Sequence, residues 1–127
     1  MFNAKIYCQR FFLLGFCLIG MQFVYAHHSF PAQFDINKPE TVTGVVTKLE
    51  WRNPHVYFYM DVYDAQGKVQ EWSFELSNVS AMRGRGWSKD TLQAGDMLEV
   101  GGSRARDDSP LLNATAVKRS ESGEELL

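Results

Sequence analysis

HVYFYMDVYDAQGKVQEWSFEL, residues 55–76, holds two runs of alternating side chains around one tight turn, and its reading decides the fold. From His55 to Tyr63, the residues Val56, Phe58, Met60 and Val62 alternate with His55, Tyr57, Tyr59, Asp61 and Tyr63. From Val69 to Leu76, Trp72, Phe74 and Leu76 alternate with Glu71, Ser73 and Glu75. A period of two residues marks a strand with one face turned inward. Between the runs, Asp64-Ala65-Gln66-Gly67-Lys68 fits a type I turn with Gly67 as a left-handed bulge residue, which pairs Asp64 with Lys68. Counting outward sets Met60 opposite Trp72, Phe58 opposite Phe74 and Val56 opposite Leu76. On the other face Tyr59 meets Ser73, Tyr57 meets Glu75 and His55 meets Ser77, so His55 and Glu75 are diagonal neighbours. A slip of one residue would set apolar side chains against polar ones, which pins this register.

Upstream, Thr41 to Trp51 is rich in β-branched residues. It places Val45, Thr47, Leu49 and Trp51 on one face and Val42, Val46, Lys48 and Glu50 on the other. Gly44 suits a bulge or sharp coil, and Asn53-Pro54 marks a turn. Downstream, Asn78 to Arg85 predicts a short helix capped by Ser77 or Asn78, and Ser88 a further turn through Leu92 that Gly95 ends. Met97 to Arg104 and Leu111 to Lys118 predict two more strands around the turn Asp107-Asp108-Ser109-Pro110. Three strands, a helical segment and two strands is the order of an OB-fold, a five-stranded Greek-key barrel. The expectation is an all-β domain over residues 41–119 with one short helix. A small β-sandwich with the same hairpin is the alternative. Residues 27–40, interrupted by Pro31 and Pro39, read as an irregular arm, and residues 120–127 as an acidic, frayed tail.

Residues 1–26 carry Lys5 and Arg10, then an apolar run from Phe11 to Gly20, and end in Val24-Tyr25-Ala26. A positive start, a short apolar stretch and small residues before a cut make a secretory signal peptide, with cleavage expected after Ala26. The apolar run is shorter than the roughly 20 residues that span a bilayer, so no stable membrane insertion is expected after cleavage. The expected location is periplasmic or secreted. Cys8 and Cys17 leave with the signal peptide, so the mature chain has neither disulfide nor thiolate ligand. Without Lys5 and Arg10, 11 of the 13 basic residues remain against 15 acidic ones, a net charge near −4. That balance disfavours a polyanion, and no nucleic-acid partner is expected.

The three histidines carry the clearest chemistry. Cleavage after Ala26 makes His27 and His28 the first two residues, and His55 opens a strand. An N-terminal histidine offers its α-amine and an imidazole nitrogen to one metal. His55 would add a third nitrogen, and His28 or Glu75 a fourth, a set that suits copper or zinc. The bland reading is an exposed His-His pair, with His55 capping a turn beside Pro54. A second class of function is a non-enzymatic binding module. Tyr57, Tyr59 and Tyr63 share a face with His55 on the strands that commonly form an OB-fold's ligand platform, facing a small molecule, a glycan or a protein. Those tyrosines equally suit packing under the arm, covered by Phe30 and Phe34. Enzymatic activity is not expected. Glu50, Glu71 and Glu75 are strand carboxylates without a motif, and Ser29 lacks a nucleophile elbow. Arg83, Arg85, Arg104 and Arg106 read either as an anion-binding patch or as solvated turn residues.

Several short motifs recur in combination: His27-His28-Ser29-Phe30, Phe34-Asp35, Val42-Thr43-Gly44, Glu50-Trp51 with Asn53-Pro54-His55, Gly86-Trp87, Leu92, Gly95-Asp96 and Arg104-Ala105-Arg106-Asp107. In these the chain resembles a family of small bacterial exported proteins classed as a domain of unknown function. It departs from the family's pattern at Gly84, which stands between Arg83 and Arg85 where adjacent arginines are expected, and this bears on the helix end. The resemblance implies export and a β domain, and it implies no activity.

Overall fold

A computed structural model describes residues 29–127. The expected signal peptide, His27 and His28 lie outside the described residues. In chain order the elements are α1 (Phe30–Gln33), β1 (Phe34–Glu50), β2 (Tyr57–Tyr63), β3 (Val69–Glu75), α2 (Val79–Gly84), β4 (Met97–Ala105) and β5 (Leu111–Arg119). The strands close into a barrel in the order β1-β2-β3-β5-β4. All neighbours run antiparallel except β3 and β5, which are parallel. With a helix between the third and fourth strands, this is the OB-like barrel, and the sandwich alternative falls away.

The hairpin has the register that its turn dictates. Asp64 and Lys68 exchange a backbone hydrogen bond of 3.0 Å, and Gly67 sits at φ 78°. Met60 then pairs with Trp72, Phe58 with Phe74 and Tyr57 with Glu75. Phe58 and Phe74 stack with ring centroids 4.8 Å apart at the centre of the core. Burying side chains of this kind contributes about 1.5–3 kcal/mol each. Val56, fully buried, accepts a hydrogen bond from Leu76 N–H just beyond the end of β2. Met82 of α2 is fully buried and joins the same core. The helix is capped by Asn78, whose side chain accepts from Ala81 N–H. It ends at Gly84, before Gly86 turns the chain at φ 86°.

Three expectations need correction. The strand faces of residues 41–51 are not continuous, because the pairing of β1 with β2 shifts between Val46 and Lys48. Val42 and Val46 point inward before that bulge, while Leu49 and Trp51 pack against the core after it. An extra residue in one strand reverses which parity faces the core. The arm is also shorter than residues 27–40, since β1 begins at Phe34. Pro31 is accommodated at the start of α1, and Pro39 beside an irregularity between Asp35 and Pro39, both places where a missing N–H does little harm.

The tail is the third. Residues 120–127 turn back on β5, with a bridge between Lys118 and Glu125. Leu126 N–H donates to the Val117 carbonyl at 2.7 Å, and the Trp87 indole N–H donates to the Leu126 carbonyl at 2.7 Å. Leu126 and Leu127 pack on the core. Reading this stretch by its charge overlooked that two leucines have apolar area to bury and that a buried indole needs an acceptor. Removing Leu126 and Leu127 is expected to lower stability by about 2 kcal/mol, from lost apolar burial and hydrogen bonds. An unchanged urea midpoint in the truncated protein would show that the tail does not dock.

Candidate functional site

Strand alternation sends Tyr57, Glu75 and Asn113 to the same face of three adjacent strands, with Tyr57 paired to Glu75 and Glu75 to Asn113. Glu75 is the one buried charged side chain among the described residues, 7% exposed. Both of its oxygens face polar neighbours. Tyr57 hydroxyl donates to Oε2, and Oε1 lies 3.7 Å from His55 Nδ1. The diagonal relation of His55 and Glu75 read from the hairpin register is therefore present.

His55 Nδ1 lies 3.2 Å from the Leu76 carbonyl oxygen. A carbonyl has no proton to give, so in the neutral ring Nδ1 carries the hydrogen and Nε2 keeps a free lone pair. The side chain is 45% exposed. The ring is thus fixed from one edge by Leu76 and Glu75 while its opposite nitrogen is left to bind.

Burial, and after it the hydrogen bond to Glu75, push the Tyr57 hydroxyl well above the ordinary tyrosine value of 10.0. A group whose proton is held more tightly in the folded state adds stability that is present in full below the ordinary value and is lost as the pH rises through the folded one. Alkaline titration followed by tyrosinate absorbance is expected to show a late step that Tyr57→Phe removes. Loss of amplitude only at the ordinary value would contradict this environment.

Beside this row lies a cavity of about 470 Å³, lined by Phe30, Phe34, His55, Glu75, Arg85 and Asn113 among others. Phe30 rests on the buried Phe34 with centroids 5.4 Å apart. The aromatic residues of the arm thus form a wall of the cavity that His55 borders. None of the three tyrosines lines it. Tyr59 lies under the Lys48 ammonium at 5.4 Å, and Tyr63, 58% exposed, is at the hairpin end opposite Val69. Of the other carboxylates, Glu50 is held by Lys48 and Arg52, and Glu71 pairs across the hairpin with Asp61.

The four arginines do not make one patch. Arg104 stacks on Trp72 at 4.2 Å and pairs with Glu40, while Arg106 donates to the Pro31 carbonyl and pairs with Asp35. Both tie the start of the chain to β4. Among the described residues no three potential metal-ligating side chains gather, and none of the helices is long and apolar enough to cross a membrane. Asn113 and Arg85 went unread as cavity residues in the sequence. Their only signal is non-local, in the parallel pairing of β3 with β5 and the fold-back of the helix end.

The sequence pattern of a family of unknown function, DUF6152, matches residues 17–111. The chain belongs to DUF6152. Among curated proteins none matches this DUF6152 chain. Among solved structures it is similar to the mitochondrial single-stranded DNA-binding protein Rim1 of S. cerevisiae, with a TM-score of 0.51 and 10% identity over 71% of this chain and 98% of that one. It is also similar to a ZRD-deleted mutant of TiaS in complex with agmatine, with a TM-score of 0.46 and 20% identity over 68% of this chain and 23% of that one. At 10% identity the likeness to Rim1 is one of fold, and for the DUF6152 chain it agrees with the five-stranded OB-like barrel.

Proposed function

We propose that this DUF6152 protein is exported and, once cut after Ala26, binds one copper or zinc ion between its new N-terminus and His55. The observation that carries the reading is the state of His55. Nδ1 lies against the Leu76 carbonyl with Glu75 Oε1 3.7 Å away, and the half-exposed side chain lines a cavity. Metal-bound histidines are commonly oriented in this way, by a carbonyl or carboxylate on the ring nitrogen that does not touch the metal. Glu75 then serves as the orienting group and His55 as the ligand.

The other nitrogens come from His27, through its α-amine and ring, with His28 as a further ligand. Covalent reach supports them. Phe30 lines the cavity with His55, and His27 and His28 precede Phe30 by three and two residues in the sequence. Nitrogen-rich sets of this kind suit copper and zinc. A bound ion would supply charge, and for copper a redox couple, at an exported surface.

Calorimetric titration of the protein beginning at His27 with Cu(II) and Zn(II) tests the reading. One-to-one binding is expected, weakened at least about tenfold by His55→Ala, since even partners outside the ligand set change affinity by that much. Binding of equal strength in His55→Ala would leave only a bare His-His terminus.

A further inference from the structure

The cavity beside His55 has a cation on its rim that the fold does not use. Arg52 is bound to Glu50, Arg104 to Glu40, Arg106 to Asp35 and Arg119 to Asp96. Arg83 and Arg85, at the end of α2, are both exposed, and neither joins an ion pair with a described residue. Of these two, Arg85 borders the cavity.

No group of the cavity wall, the terminal carboxyl of Leu127 included, forms an ion pair with it. Glu75 is the one acidic side chain of the lining, and its carboxylate is buried and engaged by Tyr57 and His55. The remaining polar groups of the wall, Asn113 and Thr115 among them, are neutral hydrogen-bonding side chains, while Phe30 and Phe34 supply an aromatic surface. A volume of about 470 Å³ falls within the range of small-molecule sites. A guanidinium with no internal partner, bordering a space lined by both aromatic and hydrogen-bonding side chains, matches a molecule with a planar anionic head and an apolar body.

We propose that this cavity binds a small organic carboxylate, its head on Arg85 and hydrogen-bonded toward Asn113, its body against Phe30. The site goes beyond the metal reading and does not rest on it. His55 lines the same cavity.

The test uses EDTA-treated protein beginning at His27, so that no metal takes part. Amide NMR spectra are followed during titration with benzoate and butyrate, with their uncharged counterparts benzamide and butyramide, and with inorganic phosphate. The carboxylates are expected to cause saturable shifts around Arg85, His55 and Asn113. Binding should be weaker by about tenfold or more for the amides, and by a similar factor in Arg85→Gln. Arg83→Gln, two residues away and outside the cavity lining, is expected to bind as the parent does, and the same spectra report whether each variant is folded. No saturable shift, equal binding of the amides, equal loss in the two arginine variants, or phosphate matching benzoate would each overturn the proposal. Failure here leaves the calorimetric metal result standing, and failure there leaves this one.

Discussion

Gly102→Ala is expected to destabilise the barrel by about 3 kcal/mol or more, at the upper end of what overpacking does. A Cβ on Gly102 would run into the Asn113 carbonyl oxygen and lie 2.9 Å from its carbonyl carbon and 3.1 Å from the Ala114 Cα. These are backbone atoms of the paired strand, so no side chain can swing away to make room. The clash falls where the β4–β5 register shifts between Gly101 and Gly102, so relief would have to move a strand. A domain of this size has a total stability of roughly 5–15 kcal/mol, so the midpoint of thermal unfolding should drop by on the order of 15 °C. The neighbouring glycine is the control. A Cβ on Gly101 meets Ala116 Cβ at 3.6 Å and Thr41 Oγ1 at 3.7 Å, ordinary contacts, and Gly101→Ala should change stability by less than about 1 kcal/mol. Equal midpoints for the two variants would mean that the strands do not approach as closely as described.

The contrast between adjacent glycines reflects what was legible in the sequence. The hairpin from Tyr57 to Glu75 could be read to the residue because a five-residue turn sets its register and each pair follows by counting, whereas His55 and Val56 lie before β2 and Val56 N–H donates to the Ser77 carbonyl. The strand pattern likewise exposed β4, β5 and the helix with its Asn78 cap. The long first strand resisted because its bulge at residue 47 inverts the alternation, and a bulge leaves no mark in composition. The tail resisted for a different reason. Its charged residues announce solvent, while the partner that holds it, Trp87, sits 39 residues away in sequence.

The site divides along the same line. The nearness of His55, Glu75 and Tyr57 follows from hairpin counting. That Glu75 is buried does not, because burial depends on Asn113 arriving from β5 in parallel pairing with β3. A glutamate on the outer face of a strand is ordinarily solvated. Here it lies between two strands, with Tyr57 donating to one oxygen and His55 Nδ1 3.7 Å from the other. The four arginines separate by the same logic: two were drawn into the closure of β1 on β4, and Arg85 was left at the cavity.

A single residue added before His27 is expected to weaken Zn(II) binding by roughly hundredfold, more than any substitution that spares the ligands. In the proposed site one residue supplies two donors, the α-amine and the ring nitrogen of His27, and both belong to the same chelate. An added residue turns that amine into an amide, whose nitrogen is a poor donor near neutrality, while all three imidazoles stay in place. The fold should be indifferent to the change, since the described barrel begins with α1 at Phe30. Stability without metal, measured by thermal unfolding, therefore separates a lost ligand from a damaged domain. His55→Ala attacks the same ion from the barrel side, and because the two changes remove different ligands of one site, the double variant should bind little more weakly than the weaker single one. If the extended protein binds Zn(II) as tightly as the parent while His55→Ala does not, the amine is not a ligand and the histidine rings alone hold the metal. If the extension abolishes binding and His55→Ala does nothing, the metal sits on the free terminus, and the orientation of His55 by Leu76 and Glu75 must serve the cavity instead.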